Sequence, residues 1–248
     1  MTTRIALISD IHANALALRA VLADIGKTGA DRLICLGDVA TLGPEPQAVI
    51  EILSGLDCPC ILGNHDEYLL NPDSLRGYTE SAGVIASIDW CRRRLSAADF
   101  GFLRGFQRGA EIPLGRTSML RVFHGSPRSN AENILGSTPP DDLDAMLVGH
   151  TATVLAGGHT HVQMLRQHHG LLLVNPGSVG LAFKDYVDGR SPTVLPHAEY
   201  AIVEEVDGII EVRLRRVPLD RSMLCREQEK TEHPLGAWLL QQYAEAAL

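Results

Sequence analysis

The sequence has little that would connect it to a membrane, a disulfide framework or duplex nucleic acid. No apolar run reaches the roughly 18 residues that a transmembrane helix requires, so no membrane span is expected. The five cysteines are odd in number and form no CxxC pair, which argues against a structural zinc site. Basic residues total 22 against 30 acidic ones, and they cluster only at Arg92-Arg93-Arg94. A net charge of −8 therefore disfavours duplex nucleic acid as a partner.

The first residues also lack the pattern of a secretory signal peptide. Asp10 and His12 interrupt the early apolar run, which is too short for such a peptide. Cys35 and Cys60 lie within apolar runs, where free thiols behave as small apolar core residues. We therefore expect a soluble, cytoplasmic protein with reduced cysteines. Nothing in the pattern specifies an oligomeric state.

The N-terminal part of the chain alternates short apolar runs with amphipathic segments. Strands are predicted over residues 4–9, 31–36 and 58–62, and helices over residues 13–27 and 46–54. This order is typical of parallel strands joined by right-handed crossovers. A chain of 248 residues can form one large α/β domain, and we expect a single domain over residues 1–248.

The rest of the chain combines a helical region with short strands. Residues 67–109 show no strand pattern and are predicted to form a helical insertion over the strand ends, with Ser96 as a helix N-cap. Hairpins are expected around Gly115-Arg116 and Asp207-Gly208. Further strands are predicted over residues 154–156, 163–167 and 171–174, and helices over residues 140–147 and 235–247.

Side chains that bind metals follow the predicted strands. Ligands commonly bind at the carboxyl ends of strands in α/β sheets. A mixture of oxygen and imidazole ligands suits manganese, iron or zinc better than calcium or a cysteine-rich zinc site. The seven candidate metal ligands are Asp10, His12, Asp38, Asn64, His124, His159 and His161.

Seven ligands are too many for one ion but suit two. If Asp38 is shared, each ion receives four protein ligands, and two divalent ions about 3.5–4 Å apart can activate water and hold a phosphoryl group. Asp10 and His12 alternate along the chain, as do His159 and His161. On an extended backbone the members of each pair would face the same side. For the later pair, we expect one histidine at each ion.

Together these motifs resemble those of the calcineurin-like metallophosphoesterases, in particular the smaller prokaryotic members. The family pattern D-x-H, G-D, G-N-H-D/E, H and G-H-x-H occurs here in order, and Asn175-Pro176-Gly177-Ser178 resembles a motif of the smaller members. The resemblance implies an α/β fold, a four-layer α/β/β/α sandwich of two mixed sheets with a dinuclear metal site. It also implies two divalent ions, with manganese expected and iron, zinc, nickel or cobalt as alternatives.

The resemblance implies a reaction and a role for each motif residue. The reaction is hydrolysis of a phosphomonoester or phosphodiester, with nucleotides among the candidate substrates, by attack of a metal-bridging hydroxide. The first ion would be held by Asp10, His12, Asp38 and His161, and the second by Asp38, Asn64, His124 and His159. His65 would face the substrate and assist the leaving oxygen. Asp66 is the second candidate catalytic residue, because it could orient His65; its alternative role is to cap a short helix after the loop.

Two further residues are candidates for substrate binding. The protein serine/threonine phosphatases of the family carry an arginine after the G-D motif, whereas residues 39–44 contain none. Arg128, just beyond His124, is the candidate substitute, and a solvated loop arginine is its alternative. Asn14 is the other candidate, with capping of the following helix as the alternative.

The alternatives at the level of function are three. Within the family they are a dinucleoside polyphosphate hydrolase and a protein phosphatase, and outside the enzymes a metal-binding scaffold without activity. The presence of every proposed ligand and of His65 favours an enzyme. Specificity is expected to depend on residues 67–109 and 128–138, where motifs are absent.

Other histidines are not expected to bind metal. His150 resembles part of the later motif but follows a predicted helix, so we expect it at a helix end. The remaining histidines are expected in exposed turns or loops: His168, His169, His197 and His233.

Overall fold

The computed structural model describes residues 3–75, 77–186 and 189–245. Within these ranges the strands are β1 (Ile5–Ile8), β2 (Arg32–Cys35), β3 (Ala110–Pro113), β4 (Met119–Val122), β5 (Val154–Ala156), β6 (Met164–His168), β7 (Leu171–Asn175), β8 (His197–Val206) and β9 (Ile209–Pro218). The helices are α1 (Ala15–Thr28), α2 (Pro46–Ser54), α3 (Asn64–Leu70), α4 (Ala82–Arg92), α5 (Ala97–Arg104), α6 (Pro140–Leu147), α7 (Arg221–Glu229) and α8 (Gly236–Glu245), with a 3₁₀ helix over Pro72–Leu75. None of these described helices is long and apolar enough to cross a membrane.

The strands form two mixed sheets. One sheet has the order β2-β1-β8-β9, and β1 lies parallel to β2 but antiparallel to β8. The other has the order β3-β4-β5-β7-β6, in which β4, β5 and β7 are parallel and the edge strands run the opposite way. The predicted hairpins are confirmed as β3–β4 and β8–β9.

The side chains of β1 explain how the layers stack. Successive side chains of a strand point to opposite faces of its sheet. Ile5 and Leu7 belong to the apolar cluster between the two sheets, whereas Ala6 and Ile8 join the cluster beneath α1 and α2. Leu143 of α6 packs on the outer face of the second sheet. The resulting order of helix, sheet, sheet and helix confirms the predicted four-layer α/β/β/α sandwich.

The predicted strand over residues 58–62 is wrong. This segment makes one parallel bridge from Cys60 to Cys35 and another from Ile61 to Gln107. Pro59 has no N–H to donate to a ladder, and the chain changes partner after a single residue. Helix α3 then begins at Asn64, so the G-N-H-D motif forms the first turn of a helix.

Helices occupy most of residues 67–109, as predicted, although α3 already begins at Asn64. Ser96 caps α5, because its hydroxyl accepts the N–H of Asp99 at 3.2 Å while the Asp99 carboxylate accepts the N–H of Ser96 at 2.7 Å. At the other end of the chain α8 matches the helix predicted over residues 235–247, whose last two positions lie outside the described residues.

Three of the histidines expected in exposed loops lie in strands or are buried. His168 belongs to β6, is 7% exposed, and its Nε2 lies 2.7 Å from the Asp144 carboxylate of α6. His197 lies in β8, with its Nε2 3.0 Å from the Glu199 carboxylate. The neighbouring His169 is exposed, as expected. Each strand histidine is therefore held by a carboxylate, which lies on α6 for His168 and two residues further along β8 for His197. The local sequence alone does not reveal these contacts.

His233, between α7 and α8, is the third of these histidines. It is 5% exposed, its Nε2 lies 2.8 Å from the Ser87 hydroxyl, and its ring packs edge-on against Trp90 of α4. Burial lowers the pKa of His233 to about 4, and the charge of Arg94 adds to this effect. The C-terminal segment is thus joined to α4 through a neutral imidazole.

This contact predicts a pH-dependent stability. The pKa of His233 is about 4 in the fold but about 6.5 in an unfolded chain. Between these values the unfolded chain binds the extra proton, so the stability from this residue falls as pH decreases from about 6.5 to 4. Between pH 7 and pH 4, we expect the native protein to lose roughly 2–3 kcal/mol more unfolding free energy than a His233→Gln variant. Urea titrations in a chelator at each pH measure this, and equal losses would contradict it.

Candidate metal centre

The proposed ligands converge at one end of both sheets. Asp10 follows β1, Asp38 follows β2, and His124 follows β4. His159 and His161 follow β5 in the neighbouring part of the second sheet. The ligands are buried, except for His159, which is half-buried and therefore marks the open side of the site.

Within this group, six side chains form two compact clusters. The ligand atoms of each cluster all lie within 4.8 Å of one another. His159 and His161 fall into different clusters, and His150 belongs to neither. The clusters are Asp10, His12 and His161 on one side, and Asp38, His124 and His159 on the other. Asn64 adjoins the second, with its Oδ1 3.1 Å from His124 Nε2.

The two carboxylates connect the clusters. Asp38 Oδ2 lies 3.3 Å from His124 Nε2 and 3.9 Å from His12 Nε2. Asp10 Oδ1 lies 3.3 Å from His161 Nε2 and 3.9 Å from His124 Nε2. Each carboxylate is therefore close to imidazoles of both clusters, which suits a ligand shared by two ions.

One oxygen of each carboxylate is fixed by the backbone and the other is left for a cation. Asp10 Oδ2 accepts the N–H of His159 at 3.0 Å, and Asp38 Oδ1 accepts the N–H of His65 at 2.9 Å. Asp10 Oδ1 is buried and has no hydrogen-bond partner. A buried charged oxygen without a partner is costly, so this arrangement fits a bound positive ion.

The histidines are held in the tautomer that binds metals. Nδ1 of His124 lies 2.7 Å from the Leu36 carbonyl, and Nδ1 of His161 lies 2.8 Å from the Leu181 carbonyl. Because a carbonyl can only accept, each Nδ1 carries the hydrogen and each Nε2 offers a lone pair to the centre. His12 Nε2 lies only 3.0 Å from His161 Nε2, a spacing that requires a proton or a cation nearby. The residues present therefore fit two divalent transition-metal ions.

The ionisation of the site residues also favours a bound cation. Burial opposes ionisation of Asp38, but the positive charge of His124 holds its pKa well below the usual value. Burial lowers the pKa of His124, but Asp38 and Asp10 together raise it to about 10. The carboxylates thus stay ionised and need a positive charge beside them. A proton on His124 supplies it when no metal does, so metal and proton compete for this site.

The backbone at the ligands is left-handed, and the extended geometry expected for the two pairs is wrong. Such a backbone is uncommon outside glycine, although Asp and His tolerate it better than most residues. It places five of the seven proposed ligands on tight turns that follow strands. Residues held in this region cost of order 1–3 kcal/mol each and cluster at functional sites. The φ angles are 54° at Asp10, 46° at His12, 57° at Asp38, 70° at His159 and 59° at His161.

A glycine is required where two of the motifs touch. Gly37 has a φ of +105°, and a Cβ there would lie 2.6 Å from the backbone nitrogen of Gly63. A Cβ on Gly63 would in turn collide with the Asp38 side chain. The G-D and G-N-H-D loops can therefore approach closely enough to place their ligands in one centre.

Asp66 organises these loops and does not orient His65. Its carboxylate accepts the backbone N–H groups of Asp38 at 2.8 Å, Val39 at 2.9 Å and Gly63 at 3.0 Å. None of the hydrogen bonds found in the described part of the chain joins it to the His65 imidazole. The capping role is the alternative that these bonds support, and a catalytic role for Asp66 has no support from them.

His65 lies beside both clusters without belonging to either. It is 6% exposed, and its Nδ1 has no hydrogen-bond partner. Its ring packs edge-on against His12, Tyr68 and Tyr78, at centroid distances of 5.1, 5.3 and 5.9 Å. Burial lowers the pKa of His65, which favours the neutral imidazole. The sequence predicted His65 but not the two tyrosines, which carry no motif.

The Asn175–Ser178 motif supports the ligand loops from behind. Asn175 Nδ2 donates to the Gly158 carbonyl at 2.7 Å and to Thr160 Oγ1 at 3.0 Å. Ser178 Oγ donates to the Asp10 carbonyl at 2.7 Å. The motif therefore forms a turn that fastens the G-H-x-H loop to the end of β1. Its resemblance to a family motif was the one sequence signal for this role.

The two candidate substrate-binding residues are engaged elsewhere. Asn14 Oδ1 accepts the N–H of Ala17 at 3.0 Å, which caps α1, and its Nδ2 donates to the Gly180 carbonyl at 3.2 Å. Arg128 Nε donates to the two carboxylate oxygens of Glu132, at 3.1 and 2.9 Å. Its Nη1 also donates to a backbone carbonyl of α6. These contacts favour the structural alternative for both residues.

Comparison with known proteins agrees with this geometry. The model of the calcineurin-like phosphoesterase superfamily domain matches residues 3–195. The chain is 30% identical over 214 residues to the uncharacterized protein MJ0912 of Methanocaldococcus jannaschii, covering 84% of this chain and 85% of that protein. A metallophosphoesterase from Sphaerobacter thermophilus superposes with a TM-score of 0.75 at 26% identity, covering 100% of both chains. The hypothetical protein PH1004 from Pyrococcus horikoshii OT3 shares the fold, with a TM-score of 0.79 at 18% identity and 96% of each chain covered.

These matches span most of the chain, including every strand end that contributes a metal-type ligand. The family model and the Sphaerobacter metallophosphoesterase also agree on the class of reaction, the hydrolysis of phosphate esters. The chain therefore belongs to the calcineurin-like phosphoesterase superfamily.

Proposed function

We propose that the protein is a phosphoesterase that depends on two divalent transition-metal ions, with manganese as the first choice. The observation that carries this proposal is the pair of adjoining ligand clusters with Asp38 in reach of both. Two ions held side by side would activate a water molecule and neutralise the phosphoryl oxygens. Membership of the family supports the same reaction class.

Each ion receives four ligands in this proposal. Asp38 is taken as the shared ligand, as the resemblance to the family implies, and its Oδ2 lies near imidazoles of both clusters. The first ion is held by Asp10, His12, Asp38 and His161, and the second by Asp38, Asn64, His124 and His159. The fixed Nδ1–H groups of His124 and His161 keep their Nε2 atoms available as ligands.

His65 is proposed to act on the substrate. Its ring packs edge-on against that of the proposed ligand His12, with centroids 5.1 Å apart, so the imidazole lies beside the proposed ions. Its backbone N–H donates to the shared ligand Asp38, which fixes its position relative to the ions. A positioned imidazole of this kind can donate a proton or a hydrogen bond to the leaving oxygen.

The protein phosphatase alternative has no support from the arginine considered for it. Arg128 was the candidate for binding the substrate phosphate, but its guanidinium is held by Glu132. The scaffold alternative is disfavoured, because both ligand clusters are formed and His65 lies beside them. A phosphate ester of low molecular mass is therefore the proposed substrate class.

The first prediction concerns metal content. Protein saturated with Mn²⁺ and freed of excess metal should contain two ions per chain and hydrolyse an aryl phosphomonoester or phosphodiester. Elemental analysis and an assay with and without chelator measure both. A single ion per chain would overturn the two-ion proposal, and two ions without hydrolysis of any ester would favour the scaffold.

The second prediction separates His65 from the ligands. His65→Ala should keep both ions and lower kcat by roughly 10²–10⁴-fold, the usual contribution of a positioned acid or base. Asp38→Ala should lose metal, because both ions share that carboxylate. His150→Ala is the matched control, because this histidine lies outside both clusters. The division of roles is wrong if His65→Ala loses as much metal as Asp38→Ala.

The third prediction tests the role of Asp66. In Asp66→Asn the amide replaces one carboxylate oxygen, so backbone N–H groups at the G-D and G-N-H-D loops lose an acceptor. We expect a loss of about 1–3 kcal/mol in stability together with weaker Mn²⁺ binding. Thermal unfolding and a metal titration measure these effects. An unchanged stability and metal affinity, combined with a loss of kcat like that of His65→Ala, would instead indicate a catalytic role.

A further inference from the structure

An open cleft lies beside the metal-binding loop. Its volume is about 250 Å³, just under the roughly 300–1,000 Å³ of sites that enclose a whole small molecule, so it suits one part of a substrate. Thr160, which lines it, stands between the proposed ligands His159 and His161. The chain beyond His161 continues along the cleft through Val162 and Met164. A group that extends from the metal centre in this direction would enter the cleft.

The described residues that line the cleft carry no charge at neutral pH. They are the apolar Ile134, Leu135, Val162 and Met164, the neutral polar Ser137, Thr160 and Gln163, together with Gly136 and the ring of Tyr186. A charged group bound there would lose water without gaining a partner of opposite charge, which is costly. An uncharged group with apolar surface would lose little and could still hydrogen-bond to the hydroxyl and amide groups.

One tyrosine lines the cleft and another lies beside the metal centre. The ring of Tyr186 forms part of the cleft wall. Tyr78 packs edge-on against His65, with ring centroids 5.9 Å apart. The Asn133 amide donates to the Tyr186 hydroxyl at 2.8 Å and so orients that ring. Aromatic rings therefore lie both beside His65 and in the cleft wall, and Thr160 joins the cleft to the loop that carries His159 and His161.

The part of the cleft wall formed by residues 135–137 is held in place by hydrogen bonds within the protein. Arg166 Nη1 donates to three carbonyls in the segment 135–138, at 3.2 Å, 3.2 Å and 2.6 Å. Leu135 N–H also donates to the Thr138 hydroxyl at 2.8 Å. A wall held in this way can select its ligand by shape, because binding needs little further ordering.

We propose that this cleft binds the leaving group of the substrate, and that this group is uncharged and carries a planar ring, as a nucleoside or an aryl alcohol does. The ring of Tyr186 offers it an aromatic surface. This inference rests on the proposed phosphoesterase function, because the metal centre places the phosphoryl group. Phosphoserine peptides and inorganic polyphosphates lack such a leaving group and are disfavoured.

The test compares substrates whose leaving alcohols have similar reactivity. Adenosine 5′-monophosphate is compared with glycerol 1-phosphate, or a dinucleoside monophosphate with bis-glycerol phosphate if only diesters are cleaved. With both metal sites filled, we expect kcat/KM to be at least tenfold higher for the member with the ring, mainly through a lower KM. Nitrophenyl phosphate distinguishes a general aryl site from a nucleoside site.

Two variants link that preference to the cleft. Val162→Trp should fill the cleft and lower the ratio of the two kcat/KM values at least tenfold, and Tyr186→Ala should lower it without filling the space. Leu165→Trp is the matched control, because Leu165 is 50% exposed and alternates with Met164 on β6, so it faces away from the cleft. It should leave the ratio unchanged. Tyr186→Ala keeps the test valid if Val162→Trp fails to fold.

The failure of this inference can be told apart from the failure of the proposed function. Hydrolysis of both members of a pair at similar kcat/KM, or a ratio that neither variant changes, overturns the leaving-group site and leaves the phosphoesterase function intact. No hydrolysis of any ester by protein containing two ions overturns the function itself.

Discussion

Two ionised carboxylates buried between two sheets are the constraint on which the rest of the site depends. Asp10 and Asp38 must keep their charge away from water, and each faces imidazoles of both ligand clusters. Burial of this charge is tolerable only with positive charge beside it. Two observations reflect this requirement for positive charge: Asp10 Oδ1 has no hydrogen-bond partner, and the carboxylates raise the pKa of His124.

The fold meets this constraint with parts that do not themselves contact the proposed ions. Apolar side chains between the sheets bring the ends of β1, β2, β4 and β5 together. Asp66 then holds the G-D and G-N-H-D loops in contact, while Asn175 and Ser178 fasten the G-H-x-H loop to β1. The strained ligand backbone persists because these contacts hold it from several sides.

Side-chain type and periodicity predicted most helices and the identity of the clustered ligands, whereas the layers were predicted from the resemblance to the family. The sequence could not predict features that depend on distant partners. The left-handed backbone at His159, the bonds of Asp66 to two loops and the burial of His233 against Ser87 all depend on residues far along the chain or on local strain. Pro59 interrupts an apolar run that otherwise resembles a strand, and Arg128 pairs with Glu132, only four residues away.

The hydrogen bonds from the histidine Nδ1 atoms to carbonyls have a further consequence for metal selectivity. The protein's own contacts fix the orientation of the His124 and His161 rings, so the donor set cannot rearrange freely around ions of different size. Affinity for divalent ions otherwise follows their intrinsic order, and selectivity then depends on geometry and supply. A donor set held in this way would discriminate against ions of clearly different size. Transition metals of similar size would still compete for it, and the ion bound in a cell would reflect which of them is available.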